Sequence, residues 1–113
     1  MVRRGELIAG SFLLLSLTAC SPSEKLTNTE IQGQWLYDDH CAECHENSHP
    51  ELRKQPPNLH GLFLAKTLPS GAPATDEQVS KTIIEGRGTM PAFDKRLREA
   101  DARELVAYLH KLK

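Results

Sequence analysis

Apolar residues recur along this chain at helical spacing, in short segments separated by polar or proline-rich stretches. The clearest pattern lies near the C-terminus, at positions i, i+3, i+4 and i+7 of one segment. The residues at these positions are Leu105, Tyr108, Leu109 and Leu112. Asp101, with Glu104 three residues later, is typical of a helix start. We therefore predict a C-terminal helix from Asp101, about three turns long, with one continuous apolar face.

A middle helix is predicted from Thr75, because Thr75 and Gln78 have the T-x-x-Q spacing of a capping box. Acidic residues follow directly and suit the positive start of a helix. The apolar stripe of this helix comprises Val79, Ile83 and Ile84. Gly86 is expected to end the helix, since glycine is the usual residue just beyond a helix C-terminus.

A first helix is predicted by the same T-x-x-Q signal, from Thr29 with Gln32, to about Cys41. Gly33 lies inside this helix, where a glycine costs roughly 0.5–1 kcal/mol relative to alanine. Its presence there suggests that another backbone packs very closely. We expect that backbone to belong to the C-terminal helix, near Tyr108.

The first nineteen residues have a different pattern. Arg3 and Arg4 precede an apolar run over residues 7–17, which fits a signal peptide and is too short to span a membrane. The following Leu17-Thr18-Ala19-Cys20 resembles a bacterial lipobox. We predict a signal peptide over 1–19, a lipidated N-terminus and tether over 20–28, and one folded domain over 29–113. The alternative is an ordinary signal peptide with an incidental Cys20.

Length and charge narrow the function classes further. The chain has 113 residues and a net charge of −1, so it holds one domain at most and nothing points to nucleic acid. A domain this small buries a limited fraction of its surface and often needs a staple.

Cys41-Ala42-Glu43-Cys44-His45 is the segment that carries chemistry. Residues three and four apart share one face of a helix, so two thiols and one imidazole point the same way. C-x-x-C-H is the attachment motif of c-type haem. Two thioether bonds and an axial imidazole would hold the haem, and a covalently held haem would be a staple for a domain of this size.

Other interpretations of the C-x-x-C pair are less consistent with the chain. A thioredoxin-like redox motif expects a βαβ context, which the pattern does not show. A structural zinc site expects a second ligand pair, and His49 and His60 do not have that spacing. A plain disulfide is the third alternative. Of the three cysteines, two are assigned to haem, and lipidation accounts for Cys20.

Two further segments complete the predicted haem site. An iron-ligating histidine usually donates its other ring N–H to a partner, and the stiff carbonyl of Pro57 is our candidate acceptor for His45. Met90 lies in a glycine-rich, proline-bounded loop and not on a helical stripe, so we predict it as the sixth iron ligand. The competing sixth ligands are His49, His60 and water. The expected apolar wall comprises Leu59, Leu62, Phe63 and Leu64.

Taken in order, these motifs resemble the class I c-type cytochromes. The four matching segments are Gly33 to His45, Pro57 to Leu62, Gly88 to Pro91, and Leu105 to Leu109. The resemblance implies an all-α cytochrome c-like fold, with three main helices around one covalently attached haem c. Arg87 and Trp35 are weaker candidates for a contact to a haem propionate. His40 and His110 are expected on a solvated flank and on a helix surface.

His/Met ligation raises the haem potential and leaves no open position for oxygen. We therefore expect a one-electron carrier and not an enzyme acting on a small-molecule substrate. Redox partner proteins would supply and accept the electron, outside the cytoplasm, with the domain held at a membrane through Cys20. The alternatives are a haem subunit of a respiratory or sulfur- or nitrogen-compound oxidoreductase complex, or a sensor of diatomic ligands.

Overall fold

The computed structural model describes residues 23–113; the predicted signal peptide and Cys20 lie outside the described residues. Four helices follow in order: Asn28–His40 (α1), Ala42–His45 (α2), Asp76–Glu85 (α3) and Glu99–Lys111 (α4). A short 3₁₀ helix covers Leu62–Leu64. Over residues 23–113 the only β pairing consists of two isolated bridges. The predicted all-α class is confirmed, and α1, α3 and α4 are its three main helices.

Helix α1 begins one residue before the predicted position, and our choice of cap was wrong. The cap is Thr27, whose hydroxyl accepts from the N–H of Glu30 at 3.3 Å, while the Glu30 carboxylate accepts from the Thr27 N–H at 2.7 Å. An ionised carboxylate is a stronger acceptor than the amide of Gln32 and is favoured at the positive helix start. The cap Thr27 and the first residue of α1, Asn28, therefore lie inside the segment that we predicted as a tether.

Helix α4 also begins earlier than predicted, at Glu99 instead of Asp101. Asp101 lies in the first turn, where its carboxylate accepts from the backbone N–H of Arg98 at 2.8 Å and from the Arg98 guanidinium at 2.7 Å. The side-chain hydrogen bond from Arg98 lowers the pKa of Asp101 to about 2. Asp101 thus caps the helix from its third position, and α4 begins two residues earlier than we predicted.

Helix α3 starts and stops as predicted. Thr75 is its N-cap and accepts from the N–H of Gln78 at 3.3 Å. Gly86 ends the helix with φ of +73°, and a Cβ at this position would lie 2.6 Å from the carbonyl oxygen of Met90. Only glycine meets both demands, since side chains disfavour this backbone region and none would fit against the Met90 backbone.

The close crossing of α1 and α4 is the centre of the fold. A Cβ on Gly33 would lie 2.0 Å from the carbonyl oxygen of Glu104, so the two backbones touch at this glycine. One turn on, the ring of Tyr37 packs on that of Tyr108, with centroids 5.4 Å apart. The predicted contact between Gly33 and the last helix is therefore present.

The buried core extends from this crossing toward α3 and the loops. Its members are Tyr37, Leu62, Leu68, Val79, Ile83, Phe93, Leu97, Leu105, Val106 and Leu109. Leu105 is fully buried. Among the helices formed by residues 23–113, none is long and apolar enough to cross a bilayer.

Candidate haem-binding site

The C-x-x-C-H segment forms a tight turn that continues from α1 into α2. The backbone N–H groups of Cys44 and His45 both donate to the carbonyl of Cys41, at 3.2 and 3.0 Å. These bonds hold the two thiols and the imidazole within one helical turn. Cys41 and Cys44 are free thiols and are not joined as a disulfide.

The environment of Cys41 does not suit thiol–disulfide exchange. Burial, with a smaller effect of the neighbouring Cys44, raises the pKa of the Cys41 thiol to about 11. A redox-active C-x-x-C pair works through a thiolate with a lowered pKa. The thioredoxin-like alternative is therefore disfavoured by chemistry as well as by the all-α fold.

His45 is oriented by Pro57, the residue chosen for that purpose from the sequence. Its Nδ1 lies 2.7 Å from the Pro57 carbonyl oxygen. A carbonyl can only accept, so Nδ1 carries the proton of the neutral ring and Nε2 keeps its lone pair. This is the tautomer that an iron-ligating histidine requires.

The two competing histidines have both ring nitrogens occupied. In His49, Nδ1 lies 2.9 Å from the Glu51 carboxylate and Nε2 lies 2.8 Å from the Glu43 carbonyl oxygen. In His60, Nδ1 faces the Lys113 carbonyl oxygen at 3.1 Å and Nε2 faces the Glu46 carboxylate at 2.8 Å. Every partner is an acceptor, so neither ring has a nitrogen lone pair available to ligate a metal ion.

The turn that carries Met90 is closed and anchored. Arg87 and Met90 exchange two backbone hydrogen bonds, of 3.0 and 2.9 Å, around Gly88. The N–H groups of Phe93 and Asp94 then donate to the last residues of α3, both at 3.2 Å. Met90 is partly buried against the same core as Cys41. The predicted loop is therefore a hydrogen-bonded turn directly after α3.

The candidate propionate contacts lie at the surface. Arg87 opens the Met90 turn and is exposed. Trp35 is 62% exposed on α1, beside Gln32, Asp38 and Asp39. Arg87 shares a turn with Met90, whereas Trp35 lies among acidic neighbours, which makes Arg87 the better of the two candidates.

The predicted apolar wall is buried only in part. Leu59, Leu62 and Phe63 pack in or against the core, whereas Leu64 is 78% exposed. Residues two apart in a 3₁₀ helix point in different directions, so Leu64 cannot share the buried side of Leu62.

The two remaining histidines also pack on aromatic rings. His40 lies edge-on against the Phe93 ring, with centroids 5.9 Å apart, and is not the solvated flank that we expected. His110 is on the surface, as predicted, but stacks on Phe63 at 3.7 Å.

Sequence reasoning missed Glu46. Its carboxylate accepts hydrogen bonds from Tyr37 and His60, which lie nine residues before it and fourteen residues after it. A glutamate after a C-x-x-C-H motif has no periodicity or spacing that would reveal these partners.

The donor set fits a covalently attached haem c. Two free thiols three residues apart, an imidazole of the correct tautomer and an anchored thioether side chain are the groups that such a haem uses. Across residues 23–113, no group of three or more His, Cys, Asp or Glu is arranged to hold a metal ion.

Comparison with known proteins agrees with this chemistry. The family model described as cytochrome C oxidase, cbb3-type, subunit III matches residues 28–109. The chain belongs to this family of c-type cytochromes. The match extends from the first residue of α1 into α4 and includes the C-x-x-C-H segment and the Met90 turn.

Two curated relatives differ in how they align with the cytochrome. It is 38% identical over 88 residues to the cbb3-type cytochrome c oxidase subunit CcoP of Azospirillum brasilense, covering 72% of this chain and 28% of that protein. It is 29% identical over 104 residues to a cytochrome c6-like protein of Nostoc, covering 92% of this chain and 87% of the relative. The cytochrome therefore spans little more than a quarter of CcoP but most of the cytochrome c6-like protein.

Solved structures confirm the fold. Cytochrome c6 from the diatom Phaeodactylum tricornutum superposes with a TM-score of 0.55 at 22% identity, covering 71% of this chain and 88% of that one. Cytochrome c6C from Synechococcus gives 0.50 at 21% identity, covering 71% and 92%. The protein is a c-type cytochrome with the class I fold, and this family binds haem c covalently.

Proposed function

We propose that this cytochrome is a one-electron carrier in which Cys41 and Cys44 hold the haem and His45 and Met90 ligate its iron. The observation that carries the proposal is the hydrogen bond from His45 Nδ1 to the Pro57 carbonyl, because it leaves the lone pair of Nε2 available for a metal ion. When bound, the haem supplies an iron that gains and loses one electron. The protein supplies the two ligands and controls access to them.

Met90 is the sixth ligand that the contacts favour. His49 and His60 are both hydrogen-bonded through each ring nitrogen, so either would have to break two contacts to ligate iron. Met90 instead sits in a turn closed by two backbone bonds and tied to α3. A thioether held by such a turn would occupy the sixth position of the iron and leave it closed to other ligands.

We further propose that the domain is anchored outside the cytoplasm by a lipid on Cys20. The tether of residues 21–28 would reach roughly 15–17 Å as a flexible coil. Part of it is folded, however, because α1 starts at Asn28 and the Glu24 carboxylate lies 2.7 Å from the amino group of Lys111. The domain would then stay near the membrane, where redox protein complexes donate and accept the electron.

A permanent subunit of an oxidase is the second candidate. Its support is the 38% identity to CcoP, which is named as a subunit of a cbb3-type oxidase. Mild detergent extraction followed by size-exclusion chromatography separates the two candidates. A haem-containing peak at the monomer size supports the free carrier, and stable co-elution with an oxidase supports the subunit.

Axial ligation is tested by the spectrum of the oxidised holoprotein beside Met90→Ala, with Thr89→Ala as a matched control in the same turn. We expect wild type and control to show the weak long-wavelength iron–sulfur band, and Met90→Ala to lose it. We also expect carbon monoxide to bind the reduced Met90→Ala protein but not reduced wild type. A wild type without the band that binds carbon monoxide readily would overturn His/Met ligation and favour a sensor.

A further inference from the structure

Glu46 lies directly after His45 and joins parts of the chain that are far apart in sequence. One oxygen of its carboxylate, Oε1, accepts from the hydroxyl of Tyr37 on α1 and lies 2.8 Å from Nε2 of His60. Tyr37 is almost fully buried at the α1–α4 crossing, so its ring cannot shift without disturbing the core. The Glu46 carboxylate is thus held in place, on one side, by a residue of the central helix crossing.

On its other side, the Glu46 carboxylate contacts the segment that orients His45. His45 bonds to Pro57, and Glu46 bonds to His60, so two adjacent residues contact the same short segment at two points. That segment is itself held on the end of α4: Nδ1 of His60 faces the Lys113 carbonyl oxygen at 3.1 Å, and the Gly61 N–H donates to the Leu112 carbonyl at 2.8 Å.

From these contacts we propose that Glu46 is a positioning residue for the axial histidine. It fixes residues 57–60 relative to α2, so that the Pro57 carbonyl stays within hydrogen-bond distance of His45 Nδ1. This rests on the proposed ligation of iron by His45. A persistent bond from Nδ1–H makes the imidazole a stronger donor, and such outer partners tune a bound metal.

A purely structural role is the competing explanation, because the buried Tyr37 ring needs an acceptor for its hydroxyl in any case. The positioning role and the structural role predict different results. Positioning affects the reduction potential and the exchange of the His45 Nδ1–H proton. Satisfying Tyr37 affects only the stability of the fold.

The test compares holoprotein variants Glu46→Gln and Glu43→Gln. Glu43 is the matched control, since it lies on α2, whose C-cap is Glu46, and carries the same charge, and its carboxylate forms no hydrogen bond within residues 23–113. Both changes remove one negative charge near the haem. We expect Glu46→Gln to raise the reduction potential more than Glu43→Gln does. We also expect it to speed Nδ1–H exchange at His45, measured by NMR, by about tenfold, the factor that corresponds to the net contribution of one hydrogen bond.

Two further variants separate the contributions of the two partners of Glu46, His60 and Tyr37. His60→Ala should reproduce the effects of Glu46→Gln on potential and exchange, and the double variant should add little. Tyr37→Phe keeps the ring and should mainly lower the unfolding midpoint. Equal potential shifts in Glu46→Gln and Glu43→Gln, with unchanged exchange, would overturn the positioning role. A wild-type spectrum without a ligated His45 ring signal would instead reject the ligation on which it rests.

Discussion

At the scale of single residues, hydrogen-bond partners separate three histidines that look alike in sequence. His45 faces one carbonyl and keeps a free nitrogen, whereas His49 and His60 each face two acceptors. A ring between two acceptors satisfies both only when it is doubly protonated. Accordingly, backbone acceptors, with the adjacent carboxylates, raise the pKa of His49 and of His60.

These raised pKa values predict the pH dependence of stability. A histidine whose pKa is higher in the folded state stabilises the fold fully below its unfolded pKa of about 6.5. The contribution is lost as pH rises through the folded pKa. The partner carboxylates, Glu46 and Glu51, have lowered pKa values and stay ionised throughout this range.

We therefore expect the free energy of unfolding of the holoprotein to fall as pH rises above about 6.5. Urea unfolding at a series of pH values measures this. His49→Gln and His60→Gln should each flatten the dependence, and together they should remove most of it. His110→Gln is the control, because that ring has only one acceptor, Asp76. Stability that increases between pH 6.5 and 8 would contradict the assignment.

At the scale of elements, helix starts and helix contacts depend on different information. Thr75 was found as a cap because its polar pattern has no nearby competitor. Thr27 was missed because two T-x-x-[EQ] patterns overlap, and the stronger acceptor, Glu30, belongs to the earlier one. Gly33, in contrast, was correctly interpreted, since a glycine within a helix has a cost that close packing explains.

Gly33→Ala tests the α1–α4 crossing. The added Cβ would lie 2.0 Å from the Glu104 carbonyl oxygen and 2.8 Å from the Tyr108 Cβ, so the helices must separate. Overpacking costs about 1–3 kcal/mol or more, which exceeds the gain of roughly 0.5–1 kcal/mol in helix propensity. We expect a net loss of about 2 kcal/mol in the free energy of unfolding, measured with urea.

Gln32→Ala is the control for this prediction, because Gln32 is exposed on the neighbouring face of the same helix. Its effect should stay within about 0.5 kcal/mol. If Gly33→Ala were as stable as this control, the close backbone contact would not exist in solution.

At the scale of the whole molecule, the N-terminal end of the described chain contacts α4, and the residues that follow α4 contact the segment around His60. Lys111 holds Glu24 near the start, and the backbone of residues 112–113 binds His60 and Gly61. The haem-binding turn, the Pro57 segment and the C-terminus are thereby joined into one unit. In the sequence, the proposed lipid anchor at Cys20 lies four residues before Glu24.

Cys20→Ser tests the anchor in cells that export and mature the protein. Lipidation supplies about 0.8 kcal/mol of membrane binding per buried CH₂, so its loss should move the cytochrome from the membrane to the soluble fraction. Haem content and spectrum should not change, since Cys41 and Cys44 are untouched. Fractionation with haem staining measures both. Membrane retention of a Cys20→Ser protein whose signal peptide has been removed, in the absence of an oxidase complex, would reject lipid anchoring.

The sequence alone determined what depends on local spacing. Two thiols and an imidazole three and four residues apart share a helical face, apolar stripes define α3 and α4, and Gly33 marks a close approach. Contacts between distant segments were decided only by the tertiary structure. Glu46 contacts Tyr37 and His60, and both ring nitrogens of His49 and of His60 face acceptors, because packing brings together partners that no local pattern records. Short-range geometry follows from the covalent chain, whereas the partners of a polar side chain depend on how the helices pack.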